Sequence, residues 1–520
     1  MRSTVFSRVT WLLCSLTSTA HALESREPGF DPLHHSGPAS PYFNAPSQFG
    51  IPVETPVGCI VEQATYIVRH GSRFPEPGSF SGWQALFDKL QNASYTVKGK
   101  LNFLPSWVPP VDDIAHEPLF LSATGSSEAF RLGAELRMRY NLTQGGSAGQ
   151  QRCVDTATYW LRGYLGQGDY LASPSENRGT VVFMPDSVNS TGADSLTPSA
   201  ACPAYSSSKG SSTSTAFRAT YQDKIAKRLN KYLDGLQLNA TDVGVMQDLC
   251  GFSFEINRDH RFCDIFEESE WLDYEYAHDL NYYYGSGPGN PLSATTGYPW
   301  LKAVTDLLVA GPQKAAENET FVPPPLLMSF TVCPDPKVCE SATEPGMQHD
   351  NNIPPIISAL GIMNSSSHKG VYPLSLTTPN PKRTFRASNI VSFLGHVALE
   401  RLSCEAPLGE SVKHVAGQLP LVPGRGSDAK KYILVRVNNA PVPIPSCMSG
   451  PSSSCPLAEF EDYVSGPQAA KAGDFVGKCG FSNATGVADT VDFFTNPHST
   501  AANTSTFLLG VDPQVGTPST

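Results

Sequence analysis

Ala64-Thr65-Tyr66-Ile67-Val68 runs directly into Arg69-His70-Gly71-Ser72-Arg73-Phe74-Pro75, and the junction between the two decides how the chain is read. The first part is a short apolar run rich in β-branched residues, the pattern of a buried strand. Gly71 and Pro75 then break the strand into a loop. In an open α/β sheet, ligands gather at the carboxyl ends of the strands. An isolated Arg-His-Gly in a turn is by default a surface loop; the full spacing Arg-His-Gly-x-Arg-x-Pro at the end of a buried strand is a candidate site.

The residue types point to an anionic phosphoryl group. Phosphate monoesters resist attack because their oxygens carry charge, so a catalyst needs fixed positive charge, an aligned nucleophile and an acid for the leaving oxygen. Arg69 and Arg73 offer planar forks that each bind two phosphate oxygens. His70 between them can act as the nucleophile, and Gly71 allows close approach of backbone and phosphate. The missing acid is read at His349-Asp350, ahead of an apolar helix candidate at Ile353 to Met363 whose first turn accommodates Pro354 and Pro355. An Asp at a helix start is ordinarily a cap. Beside bound phosphate its carboxyl is pushed toward the protonated form and can donate to a departing alkoxide, with His349 as a further donor to the phosphate oxygens.

Composition bounds the rest. The 520 residues carry a net charge of -11 and a pI near 5.6, which argues against general attraction to nucleic acid or anionic membranes. Length allows two or three units, or one large fold with an insertion. Residues 1–22 have the charged start, short apolar run and Ala-His-Ala end of a signal peptide. No later stretch approaches the roughly 20 apolar residues of a membrane helix, and Phe507-Leu508-Leu509 is too short for a lipid-anchor signal. Eight Asn-x-Ser/Thr sites, at Asn92, Asn141, Asn189, Asn239, Asn318, Asn364, Asn483 and Asn503, suit a glycosylating secretory route. The twelve cysteines lack zinc-site spacing, and in an oxidising compartment disulfides are expected.

Along the chain, residues 23–56 are rich in Pro, Ser and Gly and read as an extended arm. Glu128 to Arg139 and Tyr221 to Leu236 show helical periodicity, so residues 116–319 are expected to form a mainly α-helical domain. The α/β core is expected from residues 57–115 and 320–480, and 481–520 is a tail. Further strands are expected at Leu326 to Thr331, Ile390 to Phe393, His396 to Leu402 and Tyr432 to Val437, and the low-complexity Ser206 to Ser214 reads as a surface loop.

The two motifs together resemble the histidine acid phosphatases, and the segments between them resemble the fungal secreted branch of acid phosphatases and phytases. The matching stretches include Gly192 to Pro198, Asp279-Leu280-Asn281-Tyr282-Tyr283-Tyr284, Glu400-Arg401-Leu402-Ser403-Cys404 and Cys447 to Pro456. The resemblance implies a phosphoglycerate-mutase-like α/β core with an inserted helical domain, His70 as nucleophile, Asp350 as proton donor, and Arg69, Arg73 and His349 as phosphate ligands. It carries a third phosphate arginine onto Arg152, although the strand before Ser147 is short. It also implies the disulfides Cys59–Cys404, Cys202–Cys479, Cys250–Cys263 and Cys447–Cys455, leaving Cys153 as a small buried hydrophobe. No metal or organic cofactor is implied, because arginines supply the charge. The expected partners are small-molecule phosphate esters, without nucleic acid or membrane; a homo-oligomer is allowed.

One segment departs from the family. Seventeen residues, Val332 to Gln348, separate the expected strand from His349, where relatives pass directly from one to the other. Two readings stand: a loop closed by Cys333 and Cys339, or an unspliced intron of fifty-one nucleotides translated as protein, since Val codons begin with GT and a Gln codon can end in AG. An insertion there could displace the acid by more than the ~1 Å that matters. The functional reading is a secreted acid phosphatase of broad monoester specificity, with phytate as one candidate substrate. The alternatives are a catalytically impaired relative that only binds anions, a dedicated phytase with Lys89, Lys98 and Lys100 as rim candidates, and a phosphoglycerate-mutase-like intracellular enzyme, disfavoured by the signal peptide.

Overall fold

The computed structural model describes residues 29–113, 117–140, 144–147, 151–166, 178–183, 192–197, 199–312, 326–331, 352–364, 370–405, 429–481, 486–491, 494, 503–508 and 514–515. The chain separates into Met1–Asp31 and Pro32–Thr520, and the second unit holds all that follows. Its strands are β1 (Cys59–Arg69), β2 (Thr96–Val97), β3 (Gln144–Ser147), β4 (Arg178–Phe183), β5 (Leu233–Asp234), β6 (Leu326–Thr331), β7 (His396–Cys404), β8 (Lys430–Val437), β9 (Ala440–Pro441), β10 (Cys455–Pro456), β11 (Asn503–Leu508) and β12 (Gln514–Val515). The principal helices are α1 (Pro77–Asn92), α2 (Ala123–Tyr140), α3 (Gln151–Leu165), α4 (Ser208–Leu229), α5 (Ala240–Asn257), α6 (Glu268–Gly285), α7 (Ser293–Ala310) and α8 (Ile353–Leu360).

Ten strands form one sheet in the order β10-β8-β7-β1-β6-β3-β4-β11-β12, with β9 paired to β8. The inner strands β1, β6, β3 and β4 run parallel to one another, while β7 and β8 on one side and β11 and β12 on the other pair antiparallel. The carboxyl ends of β1, β6 and β3 therefore lie along one edge, with Arg69 in register with Thr331.

Strand β1 is buried from Gln63 to Arg69, because helices cover both faces of the inner sheet, and such a strand reads as a nearly unbroken apolar run. Ala64, Tyr66 and Val68 enter a core with Leu132 and Leu136 of α2, Trp160 and Tyr164 of α3, and Met328 of β6. Ile67 faces the other way, toward Thr296 and Trp300 of α7 and Pro355 and Ile356 of α8. The helices approach closely: a Cβ at Gly133 of α2 would stand 2.0 Å from the Trp160 carbonyl oxygen. A buried polar chain crosses the sheet. Arg436 Nε donates to Glu400 Oε2 at 2.8 Å, Tyr140 donates its hydroxyl to Glu400, and the Tyr66 and Tyr140 hydroxyls are 2.5 Å apart. A buried ion pair satisfied in this way avoids the penalty of an uncompensated charge.

Disulfides join Cys59 to Cys404, Cys202 to Cys479, Cys250 to Cys263 and Cys447 to Cys455. The first ties the start of β1 to its antiparallel neighbour β7, where the two cysteines are in register. Cys153 is fully buried against α2 and β1.

Three expectations differ from the structure. Ile390 to Phe393 is not a strand: Ala387–Val391 is a short helix, and a brief apolar β-branched run cannot be assigned by periodicity alone. Ser206 to Ser214 is not simply a loop, because α4 begins at Ser208; Gly210 there packs against α6, with room for no Cβ beside the Asn281 carbonyl. Finally, β3 and β4, from the span expected to be mainly helical, belong to the large sheet, as does β11 from the expected tail.

Candidate active site

The loop after β1 is held almost wholly inside the protein. Arg69, His70, Ser72 and Arg73 are each 1% exposed or less. His70 Nδ1 lies 2.7 Å from the Gly71 carbonyl oxygen. A carbonyl can only accept, so Nδ1 carries the proton and Nε2 keeps its lone pair. Consistently, Arg73 Nε donates to His70 Nε2 at 3.4 Å. Gly71 N donates to Thr156 Oγ1 of α3 at 3.1 Å, and a Cβ at Gly71 would sit 2.9 Å from the Gly125 carbonyl oxygen of α2. The loop is thus gripped on both sides of the imidazole.

The arginines are aimed by their own partners. Arg73 Nη2 donates to Glu76 Oε1 at 2.6 Å and Nη1 to the Phe74 carbonyl at 2.9 Å. Arg69 Nη1 donates to the Val391 carbonyl at 2.5 Å and to the Pro38 carbonyl, while its guanidinium lies 4.4 Å from the centroid of the Phe393 ring. Val391 ends the short helix Ala387–Val391, whose first N–H, at Ala387, is accepted by Asp279 Oδ1 at 2.6 Å. Asp279 Oδ2 in turn accepts from Arg383 Nε at 2.5 Å. The Asp279 segment, singled out in the sequence as a match, thus reaches Arg69 through one helix.

The remaining expected residues are placed only in part. Arg152 stands in the first turn of α3, directly after β3, and its side chain lies outside the described residues. His349 and Asp350 also lie outside them, as do Cys333, Cys339 and the whole of Val332 to Gln348. The chain is described up to Thr331, beside Arg69, and again from Asn352, buried at the start of α8 and close to Ile67.

Several contributors had no sequence signal. Pro38 and Val391 act through carbonyls, which any residue possesses. Glu76 could have been found as a carboxylate three residues after Arg73, and Ser72 proves to be held by two distant glutamates. Of the three lysines considered as a basic rim, Lys89 is ion-paired with Asp242 and Lys100 Nζ donates to the Asp264 carbonyl at 2.6 Å.

Residues 60–423 match the family model described as the histidine phosphatase superfamily, branch 2. The chain is 30% identical over 469 residues to phytase PHO112 of Candida albicans, covering 87% of each. It is 28% identical to acid phosphatase PHO1 of Komagataella pastoris, covering 86% of each. Its fold is similar to that of the phytase from D. castellii, with a TM-score of 0.71 at 23% identity over 92% of this chain and 93% of that one. It is also similar to the Bifidobacterium longum multiple inositol polyphosphate phosphatase, with a TM-score of 0.55 at 11% identity over 84% and 98%. With its Arg-His-Gly-x-Arg-x-Pro loop at the carboxyl end of a central strand, and a family match across more than half its length, the chain belongs to branch 2 of the histidine phosphatase superfamily.

Proposed function

We propose that the protein is a secreted acid phosphatase that hydrolyses phosphate monoesters through a phosphohistidine on His70. The observation that carries this reading is the fixed tautomer: Nδ1 is committed to the Gly71 carbonyl, so the ring's lone pair belongs to Nε2, the nitrogen beside Arg73. Nε2 attacks phosphorus as the ester P–O bond breaks, and Asp350 gives its proton to the leaving oxygen. Water then attacks the phosphohistidine, its proton returns to Asp350, and phosphate departs. Arg69, Arg73, His349 and Arg152 hold the phosphoryl oxygens. Topology supports this set, because His70, His349-Asp350 and Arg152 follow the neighbouring parallel strands β1, β6 and β3.

The relatives above include both phytases and acid phosphatases, so their names do not decide the ester. With Lys89 and Lys100 engaged elsewhere, a broad monoesterase is favoured over a dedicated phytase. Secretion and glycosylation rest on the leader, the sequons and the disulfides. No helix among the described residues is long and apolar enough to cross a membrane. The test is rapid mixing with p-nitrophenyl phosphate at acid pH, an alkaline quench and mass spectrometry. Phosphate should appear on the peptide holding His70; turnover retained by His70→Ala would reject the mechanism.

A further inference from the structure

Ser72 separates the nucleophile segment from Arg73, and its side chain meets two carboxyl groups from different helices. Its Oγ lies 3.0 Å from Glu128 Oε2 of α2 and in hydrogen-bond contact with Glu255 Oε2 of α5. A hydroxyl owns one hydrogen. It cannot donate to two carboxylates, so both contacts are satisfied only if one carboxyl is protonated and donates to Ser72 Oγ while Ser72 donates to the other. Ser72 is held from the backbone as well, its carbonyl accepting from Ser122 N at 2.9 Å and Ser122 Oγ at 3.0 Å.

We propose that Glu128 and Glu255 share one proton and, through Ser72, act as positioning residues that hold the nucleophile loop in its working geometry only while that proton is present. Two like charges in one buried site repel, and ionising both would push α2 and α5 apart at the Ser72 contact. The displaced unit would carry Gly71, whose carbonyl sets the His70 tautomer, and Arg73.

The surroundings favour the protonated pair. Glu255 is fully buried; burial, and then the charge of Glu128, push its carboxyl up to about 8, and burial also raises that of Glu128. Among the described residues, the cations acting on the pair are Arg131 on α2 and Arg258 at the end of α5. Arg258 Nη1 is 3.5 Å from Glu255 Oε1 but its side chain is 56% exposed, so solvent screens it. A carboxyl raised in the folded state stabilises the fold below its unfolded value, and that contribution is lost as pH rises through the folded value. The window here runs from the ordinary carboxyl range to about 8.

The inference rests on the proposed reaction for its kinetic arm only. Glu255→Leu should lower kcat about ten-fold through misplacement of the loop. Glu255→Gln, whose amide donates to Ser72 and cannot ionise, should restore most of that loss and move the alkaline limb of kcat upward by about one pH unit or more. Independently of turnover, the Tm of the parent should fall as pH rises from about 6.5, where His396 no longer titrates, to about 8, and that fall should flatten in Glu255→Gln. If the parent and Glu255→Gln share the same Tm slope across this range, the shared proton is refuted even where the enzyme turns over. A flattened slope with an unmoved alkaline limb would refute the positioning role.

Discussion

Arg73 Nη2 and Glu76 Oε1 meet at 2.6 Å with Arg73 almost fully buried, so the guanidinium beside His70 is aimed by a carboxylate three residues on. Glu76→Gln keeps one acceptor oxygen but removes the charge. It should raise KM for p-nitrophenyl phosphate and lower kcat by about ten-fold, since a misplacement of ~1 Å can cost about a hundred-fold and a smaller one correspondingly less. Steady-state kinetics at acid pH check this, with Tm held within a few degrees of the parent.

Asp279 tests the path from the helical domain to the site. Asp279→Ala removes one of the two carboxylates paired with Arg383, Glu275 being the other, and the acceptor for Ala387 N. Deleting one member of a buried pair costs about 3–5 kcal/mol where it leaves a bare charge; Glu275 still compensates Arg383, so the cost is smaller and thermal unfolding should show a drop of a few degrees. Because Val391 at the far end of the same helix holds Arg69, inorganic phosphate should also inhibit the variant less strongly.

His396 makes the fold acid-sensitive. It is fully buried beside β1, in register with Val68; burial lowers its imidazole to about 4, with the Leu394 carbonyl opposing. The unfolded chain therefore binds the proton more readily, and stability contributed by neutral His396 is present above about 6.5 and lost as pH falls toward 4. The loss is on the order of 3 kcal/mol. In His396→Gln, the decline of Tm between pH 6.5 and 4 should be visibly shallower.

The interval between β6 and α8 gives a sharper test. Thr331 lies beside Arg69 and Asn352 is buried near Ile67, so both ends of the interval already stand at the site. Deleting Val332 to Gln348 leaves His349, Asp350 and Asn351 to make the connection. If the segment is a retained intron, the deletion should raise kcat by at least ten-fold, and transcripts should lack the fifty-one nucleotides. If Cys333 and Cys339 close a genuine loop, the full-length message should predominate and the deletion should lose activity.

The strand and loop from Ala64 to Pro75 were legible because burial on both faces forces an apolar run and because Gly and Pro mark where it stops. The helical periodicity of α2 was legible for the same kind of reason, since one face must enter the core. Long-range partners were not. Glu255 follows Ser72 by 183 residues, and nothing local to either announces the contact. The Ser-rich start of α4 misled because weak helix propensity is overridden when small residues let two helices touch. Ile390 misled because the helix that contains it is fixed by Asp279, a residue on another element.

Pro38 precedes the matched family region, which begins at residue 60, yet its carbonyl receives the Arg69 guanidinium. Gly37 beside it has no room for a Cβ against His278 of α6. A version trimmed to the recognisable family segment would keep every residue from Arg69 to Pro75 and lose one wall of the socket that steadies the first arginine. Anyone shortening this protein for expression, or grafting the Arg69 to Pro75 loop onto another scaffold, should count the leading arm as part of the socket that holds it.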